Sequence, residues 1–297
     1  MNTPHKAGPI ARKLITRFQK SHRQKVVNLQ AWRQAQGEFD ALAADIASRA
    51  GGDPRSSTFK LYNFVQNWAM GIMEMIQELP ELDKLMSRVA AAQDEYMPGY
   101  PPMSPITSTF FWTWMLYDLT VNAQGETFAS ILLSLGQEFN MDPVFLDTLS
   151  ILSESRLGLH VCEGQEDGRV LLRELVTGVL RSCNTGSGYD GAPGELWLAR
   201  VLMPPMPGMA HALVFNTPYV VQHANLAQWQ AYLQRTLPKT KKDDEQAAYS
   251  CLMKGGLAPN YWAEYVFEAY AKHNDNAIYI LGLPDVDESR PHSRVNS

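Results

Sequence analysis

Cysteine is scarce, with Cys162, Cys183 and Cys251 the three in 297 residues. They form no Cys-x-x-Cys or Cys-x-Cys pair, which argues against a disulfide framework and a thiolate zinc site and fits a reducing cytoplasm. Long apolar runs are also missing. The longest, 110–112 resuming at 114–117, stops at Asp118, far short of the ~20 residues a membrane span needs. The N-terminus has no compact apolar stretch followed by small residues, so no secretory signal is expected. No G-x-S-x-G, H-E-x-x-H or kinase signature occurs, so no familiar catalytic set is announced.

Acids are absent from the first 37 positions, which hold eight Lys or Arg. The rest carries 18 basic and 31 acidic side chains, a formal −13, so the chain is a basic arm on an acidic body. Arg12, Lys13, Arg17, Lys20, Arg23 and Lys25 are the candidates for contact with nucleic acid or an anionic membrane, because clustered cations gain affinity by releasing counterions from phosphates. An acid-free, Arg-containing start also has the composition of an organelle transit peptide. Against both stands the spacing of Ile10, Leu14, Phe18, Val26, Leu29, Trp32, Ala35, Phe39, Leu42 and Ile46, an amphipathic stripe with a polar break around His22. An apolar face that runs on into acidic sequence needs protein to cover it, either the chain's own body or a second subunit.

With 45% hydrophobic and 19% charged residues the chain can bury a sizeable core. The glycine-glycine turn before Pro54 separates the arm from a dense apolar helix through Phe59–Leu79, stopped near Pro80. A helix over 82–92, a proline-rich connector over 98–105, an aromatic segment over 106–117 and a helix over 128–139 follow. Asp142-Pro143 opens another helix to about Ser155. From Leu157 the period becomes two. The β-runs are 157–161, 169–172, 178–183, 195–202 and a fifth made of 212–215 with 219–221. Helices return at 225–233, 245–253 and 259–273, and 277–281 suits an edge strand. The expected fold is therefore α+β: a helical N-terminal half (1–155), a small curled antiparallel β-domain that is either a small barrel or a strongly curled sheet (156–222), C-terminal helices packed back on the body (223–283) and a polar tail (284–297).

Candidate chemistry is thin. His160 and Cys162 share a strand face with Glu163 next and Cys183 nearby, but a closed metal site needs four converging ligands, so these residues read as structural and no metal or cofactor is expected. Glu264 and Glu268 lack the E-x-x-H of di-metal bundles, and Glu268 with Lys272 suits an i,i+4 ion pair. The glycine-rich stretch 186–194 precedes a strand rather than a helix and lacks the Lys-Ser/Thr of a phosphate loop. If the chain is an enzyme, its site belongs where this loop meets the aromatic segment, with Tyr189, Asp190, Glu195 and Arg200 as the polar candidates.

The succession Trp114-Met-Leu-Tyr-Asp118, Gly125-Glu-Thr127, Ser153-Glu-Ser-Arg156, Leu172-Arg-Glu-Leu-Val-Thr-Gly178 and Gly194-Glu-Leu-Trp-Leu-Ala-Arg200 resembles a region that precedes SEC-C type zinc motifs in some bacterial proteins. The resemblance covers about 106–221 and implies a bacterial, cytoplasmic protein with a helical part followed by a small β-domain. It implies no activity, and the zinc motif that should follow is absent from 222–297, where Cys251 stands alone. The sequence thus points to a non-enzymatic interaction module with a protein partner or a second copy. The alternatives are an enzyme of unfamiliar type and nucleic-acid binding through the arm.

Overall fold

The switch to a two-residue period at Leu157 divides a helical layer from a β-barrel, giving an α+β fold. The computed structural model describes residues 6–23, 37–39, 41–42, 44, 54–96, 107–204 and 210–286. Lys25, the proline-rich connector, most of the stripe between Val26 and Ile46, and the tail from 287 lie outside them.

Helix α1 (Pro9–Arg23) turns Ala11, Leu14 and Phe18 inward. Helices α2 (Pro54–Ile76), α3 (Asp83–Tyr96) and the short α4 (Thr107–Thr113) follow, α3 being entered through a 3-10 turn at Pro80–Leu82. A π-turn, Trp114–Asp118, continues α4 with all five side chains buried, which explains an apolar run with no polar face. α5 (Phe128–Glu138) starts at a capping box of Thr127 and Ser130. α6 (Pro143–Glu154) starts at Asp142, whose carboxylate accepts from the amides of Val144 (2.7 Å) and Phe145 (3.2 Å).

Six strands then fill 157–222: β1 (Leu157–Glu166), β2 (Arg169–Glu174), β3 (Leu180–Thr185), β4 (Leu196–Leu202), β5 (Ala212–Val214) and β6 (Tyr219–Gln222). Before them the described residues hold one isolated bridge, Thr120 with Thr127. β1 is long enough to serve two neighbours. Its first half pairs with β4 and its second half with β2, on either side of a bulge between Cys162 and Gly164. The order β1-β2-β3-β5-β4 therefore returns to β1, and the sheet closes as a five-stranded barrel. Four of its pairings are antiparallel and β3–β5 is parallel.

The fifth β-run proves to be one path along β4 broken into two strands. β5 pairs with Val201 and Leu202, and β6 with 196–198. Between them the ladder is carried by the Phe215 amide to the Arg200 carbonyl (3.0 Å) and by the Arg200 amide to Asn216 Oδ1 (3.2 Å).

α7 (Leu226–Thr236), α8 (Glu245–Gly255) and α9 (Tyr261–Ala269) complete the helical layer. The helix expected to reach His273 stops at Ala269. Tyr270 turns to extended geometry, and β7 (Tyr270–His273) folds back on β8 (Ile278–Leu281) around Asn274, whose Oδ1 accepts from the amides of Asn276 and Ala277. β8 joins β6 in parallel, so the C-terminal segment extends the sheet as well as the helical layer, and β7 rather than β8 takes the outer position.

Alternation along the strands sorts two cores. Cys162, Val170, Leu172, Cys183, Trp197, Ala199, Ala212 and Val214 fill the barrel. Leu157, Leu159, Leu196, Leu198, Leu202 and Leu213 face outward and join the helices in the larger core.

Candidate functional site

The basic arm is held at both its tip and its face. Glu126, buried at the end of the loop before α5, accepts from the amides of Ile10 (3.0 Å) and Ala11 (3.1 Å), placing a carboxylate on the free N–H groups and positive dipole end of α1. Asn122 also donates to Glu126. Gly8 leaves room for this contact, because a Cβ there would displace the Glu126 carboxylate. One turn on, Leu14 is fully buried, and Phe18 meets Phe139 at a tilt with ring centroids 6.4 Å apart. Burying side chains of this size contributes about 2 kcal/mol each. The apolar face drawn by Ala11, Leu14 and Phe18 thus belongs to the chain's own body.

What remains outside is the basic face. Arg12, Lys13, Arg17 and Lys20 are exposed and, with Pro9, Thr16 and Glu81, line an open groove of about 610 Å³. Arg17 makes a 3.0 Å ion pair with Glu81, whereas Arg12, Lys13 and Lys20 make no ion pair among the described residues. Arg23 is the last residue of α1.

The four candidates for an enzyme site are not brought together. Tyr189 and Glu195 meet: the phenol lies 3.1 Å from both carboxylate oxygens, Trp197 Nε1 donates to Oε2 at 3.1 Å, and the Tyr189 and Trp197 rings lie 5.2 Å apart. Burial, with help from Tyr279 and Glu195, raises the Tyr189 phenol, so it stays protonated. Asp190 is exposed, and its backbone carbonyl accepts from Gln165. Arg200 points the other way. It occupies an outward position of β4 covered by helices, 1% exposed, and ion-pairs with Asp118 of the π-turn. It also donates to Ser155 Oγ at 2.7 Å, and Lys254 of α8 lies 3.6 Å from Asp118. Buried Asp118 and Arg200 with half-buried Lys254 tie together the π-turn, β4 and α8. The glycine-rich loop does meet the aromatic segment, where Gly186 and Ser187 face Thr113 across a cleft of about 150 Å³, but none of the four candidates lines it.

His160 and Cys162 do share the inner face of β1. Burial pushes the Cys183 thiol up to about 12 and raises Cys162 also, so neither is poised as a nucleophile. No cluster of three or more His, Cys, Asp or Glu suited to a metal occurs among the described residues. Glu264 is exposed on α9, and the helical spacing from Glu268 to Lys272 does not exist because the helix ends between them.

Sequence patterning gives no sign of the polar end of the barrel, where β1 begins. There the filling changes from apolar to polar, and His160, Glu174 and Arg181 line a cleft of about 180 Å³. No helix among the described residues is long and apolar enough to cross a membrane. No family model, curated protein or solved structure matches the chain.

Proposed function

We propose that the chain is a non-enzymatic interaction protein that presents α1 as a fixed basic ridge to an acidic segment of a partner protein. The observation that carries this reading is the division of labour on α1. Its amides and apolar face are engaged by the body, while Arg12, Lys13 and Lys20 stay exposed around one groove. Ordering a helix in advance spares the partner that entropic cost. Charge supports a protein over a long polyanion: the chain is net −5, so a nucleic acid laid beyond the ridge would meet an acidic body. The resemblance of 106–221 to the SEC-C-associated region adds no activity to this reading.

The test is fluorescence anisotropy with a labelled glutamate-rich peptide and a single-stranded RNA of equal charge, each at low and high salt. The peptide should bind the wild-type chain, weaken with salt, and lose at least tenfold in affinity with Arg12→Glu, Lys13→Glu and Lys20→Glu combined. Tighter, steeply salt-dependent RNA binding would replace this reading with the nucleic-acid one. Peptide affinity unchanged in the triple variant would end it. Light scattering in the same buffers reports whether the acidic surface of a second copy serves as the partner.

A further inference from the structure

The inner face of β1 reads Gly158, His160, Cys162. Cys162 belongs to the apolar filling of the barrel, but His160 sits where that filling ends, 3% exposed, and apart from a weak approach to the Ala199 backbone its ring nitrogens make no hydrogen bond. Buried polar groups left unpaired cost enough that they normally find a partner, and this one lines an accessible cleft. Gly158 keeps the space open. A Cβ there would lie 2.5 Å from His160 Nε2 and 2.8 Å from Glu174 Oε1, so both atoms face the same gap.

The remaining lining has fixed roles. Arg156 holds Glu174 through two bonds, 2.7 and 3.2 Å, and Thr177 donates to it at 2.7 Å, which fixes the carboxylate while Oε1 retains a lone pair toward the gap. Arg156 is itself seated over the Tyr249 ring at 4.6 Å. Arg181, from β3, approaches Met203 Sδ at 3.1 Å and has no carboxylate partner among the described residues. The charged groups of the lining, Arg156, Arg181, Glu154 and Glu174, cancel. Burial keeps the imidazole neutral, so it offers one N–H and one lone pair. A lining whose charges sum to zero favours an occupant without net charge, since an ion that left water would meet no net counter-charge there, while Arg181 keeps donors free for a neutral acceptor. A cleft of about 180 Å³ holds a molecule of a few heavy atoms.

We propose that this barrel mouth binds a small uncharged molecule through a cis-amide edge, the adjacent N–H and C=O of a lactam, primary amide or nucleobase. His160 and Glu174 receive the N–H, and Arg181 donates to the C=O. The site is separate from the α1 ridge and stands or falls independently of it.

Ring-nitrogen NMR of His160 in the full chain tests this, with uracil, 2-pyrrolidone and acetamide as probes and acetate as the anionic control. At least one amide-edge probe should shift the His160 ring resonances at concentrations up to about 10 mM, an affinity within reach of so small a ligand. Which probe does so separates a nucleobase source from a simple amide. Gly158→Ala, which fills the gap, and Arg181→Leu, at a half-exposed position, should each weaken that probe at least tenfold, with an unchanged urea midpoint checking that the fold persists. A response to acetate alone would overturn the proposal in favour of an anion site. No response to any probe would mean that the mouth holds water only, and an unchanged affinity in Arg181→Leu would remove the assigned acceptor contact.

Discussion

A buried histidine that makes no hydrogen bond of good geometry makes a fold sensitive to acid, and His160 gives that sensitivity a defined window. Burial lowers its pKa from 6.5 to about 4, outweighing the opposite pull of Glu174 and of the Ala199 backbone. The neutral form is thus the folded form: its contribution is complete above pH 6.5 and is lost as the pH falls from there toward 4. A tenfold weakening of proton binding corresponds to about 1.4 kcal/mol, so the loss approaches roughly 3 kcal/mol at the bottom of the window. Glu174 acts in the same direction at lower pH, because Arg156 and Thr177 hold it below the ordinary carboxylate range despite its burial. Urea unfolding at pH 7 and pH 5 should show a clear drop for the wild type and a much smaller one for His160→Gln; equal drops would remove His160 as the cause. Arg200 is the other residue whose surroundings set its role. Arg200→Met leaves the buried Asp118 carboxylate with only the half-buried Lys254, 3.6 Å away, and should cost about 3–5 kcal/mol. Tyr189→Phe, which gives up a hydrogen bond at a half-buried position, should cost about 1 kcal/mol. The urea midpoints of the two variants check that ordering.

Elements differ in how firmly the rest of the fold holds them, and the tip of α1 is held by a single carboxylate. Glu126→Ala leaves the Ile10 and Ala11 amides unpaired and should cost about 1–2 kcal/mol. Its readout is faster tryptic cleavage at Arg12, Lys13 and Arg17 with the barrel intact; cleavage at the wild-type rate would mean that Leu14 and Phe18 suffice. Phe18→Asp, a charge on the buried face, should lower the melting temperature as well. Much of this level could be read beforehand. Ile10, Leu14 and Phe18 drew the packed face of α1, Asp142-Pro143 marked the start of α6, and the two-residue period located the strands from Leu157. Pairing over long sequence distances could not be read. Nothing in Leu157–Val161 announces β4 as its neighbour, so which strands close the barrel was hidden, and with it the meaning of His160 and Cys162 sharing a face. Tyr270 misled for a local reason: the apolar spacing of α9 runs past Ala269, and the turn at Asn274 draws the next four residues into the sheet.

For the whole molecule, the outward face of the barrel determines whether residues 156–222 form a unit that can stand alone. Leu157, Leu159, Leu196, Leu198 and Leu202 are buried only because helices from both flanks cover them, and they belong to the same core as α2, α5 and α8. The Arg200–Asp118–Lys254 trio crosses the same seam from β4 to the π-turn and α8. Cutting there would expose a leucine face, forfeiting about 1.5–3 kcal/mol per side chain, against the roughly 5–15 kcal/mol that a whole domain has to spare. The barrel and the helical layer should therefore unfold together. In the full chain, far-ultraviolet circular dichroism, dominated by helix, and the fluorescence of tryptophans that include the barrel's own Trp197 should melt at one midpoint. A fragment of residues 156–222 should be aggregated or unfolded. A soluble, cooperatively melting fragment would show instead that the inner core of Cys162, Val170, Leu172 and Trp197 is sufficient, and the barrel would then be a domain in its own right.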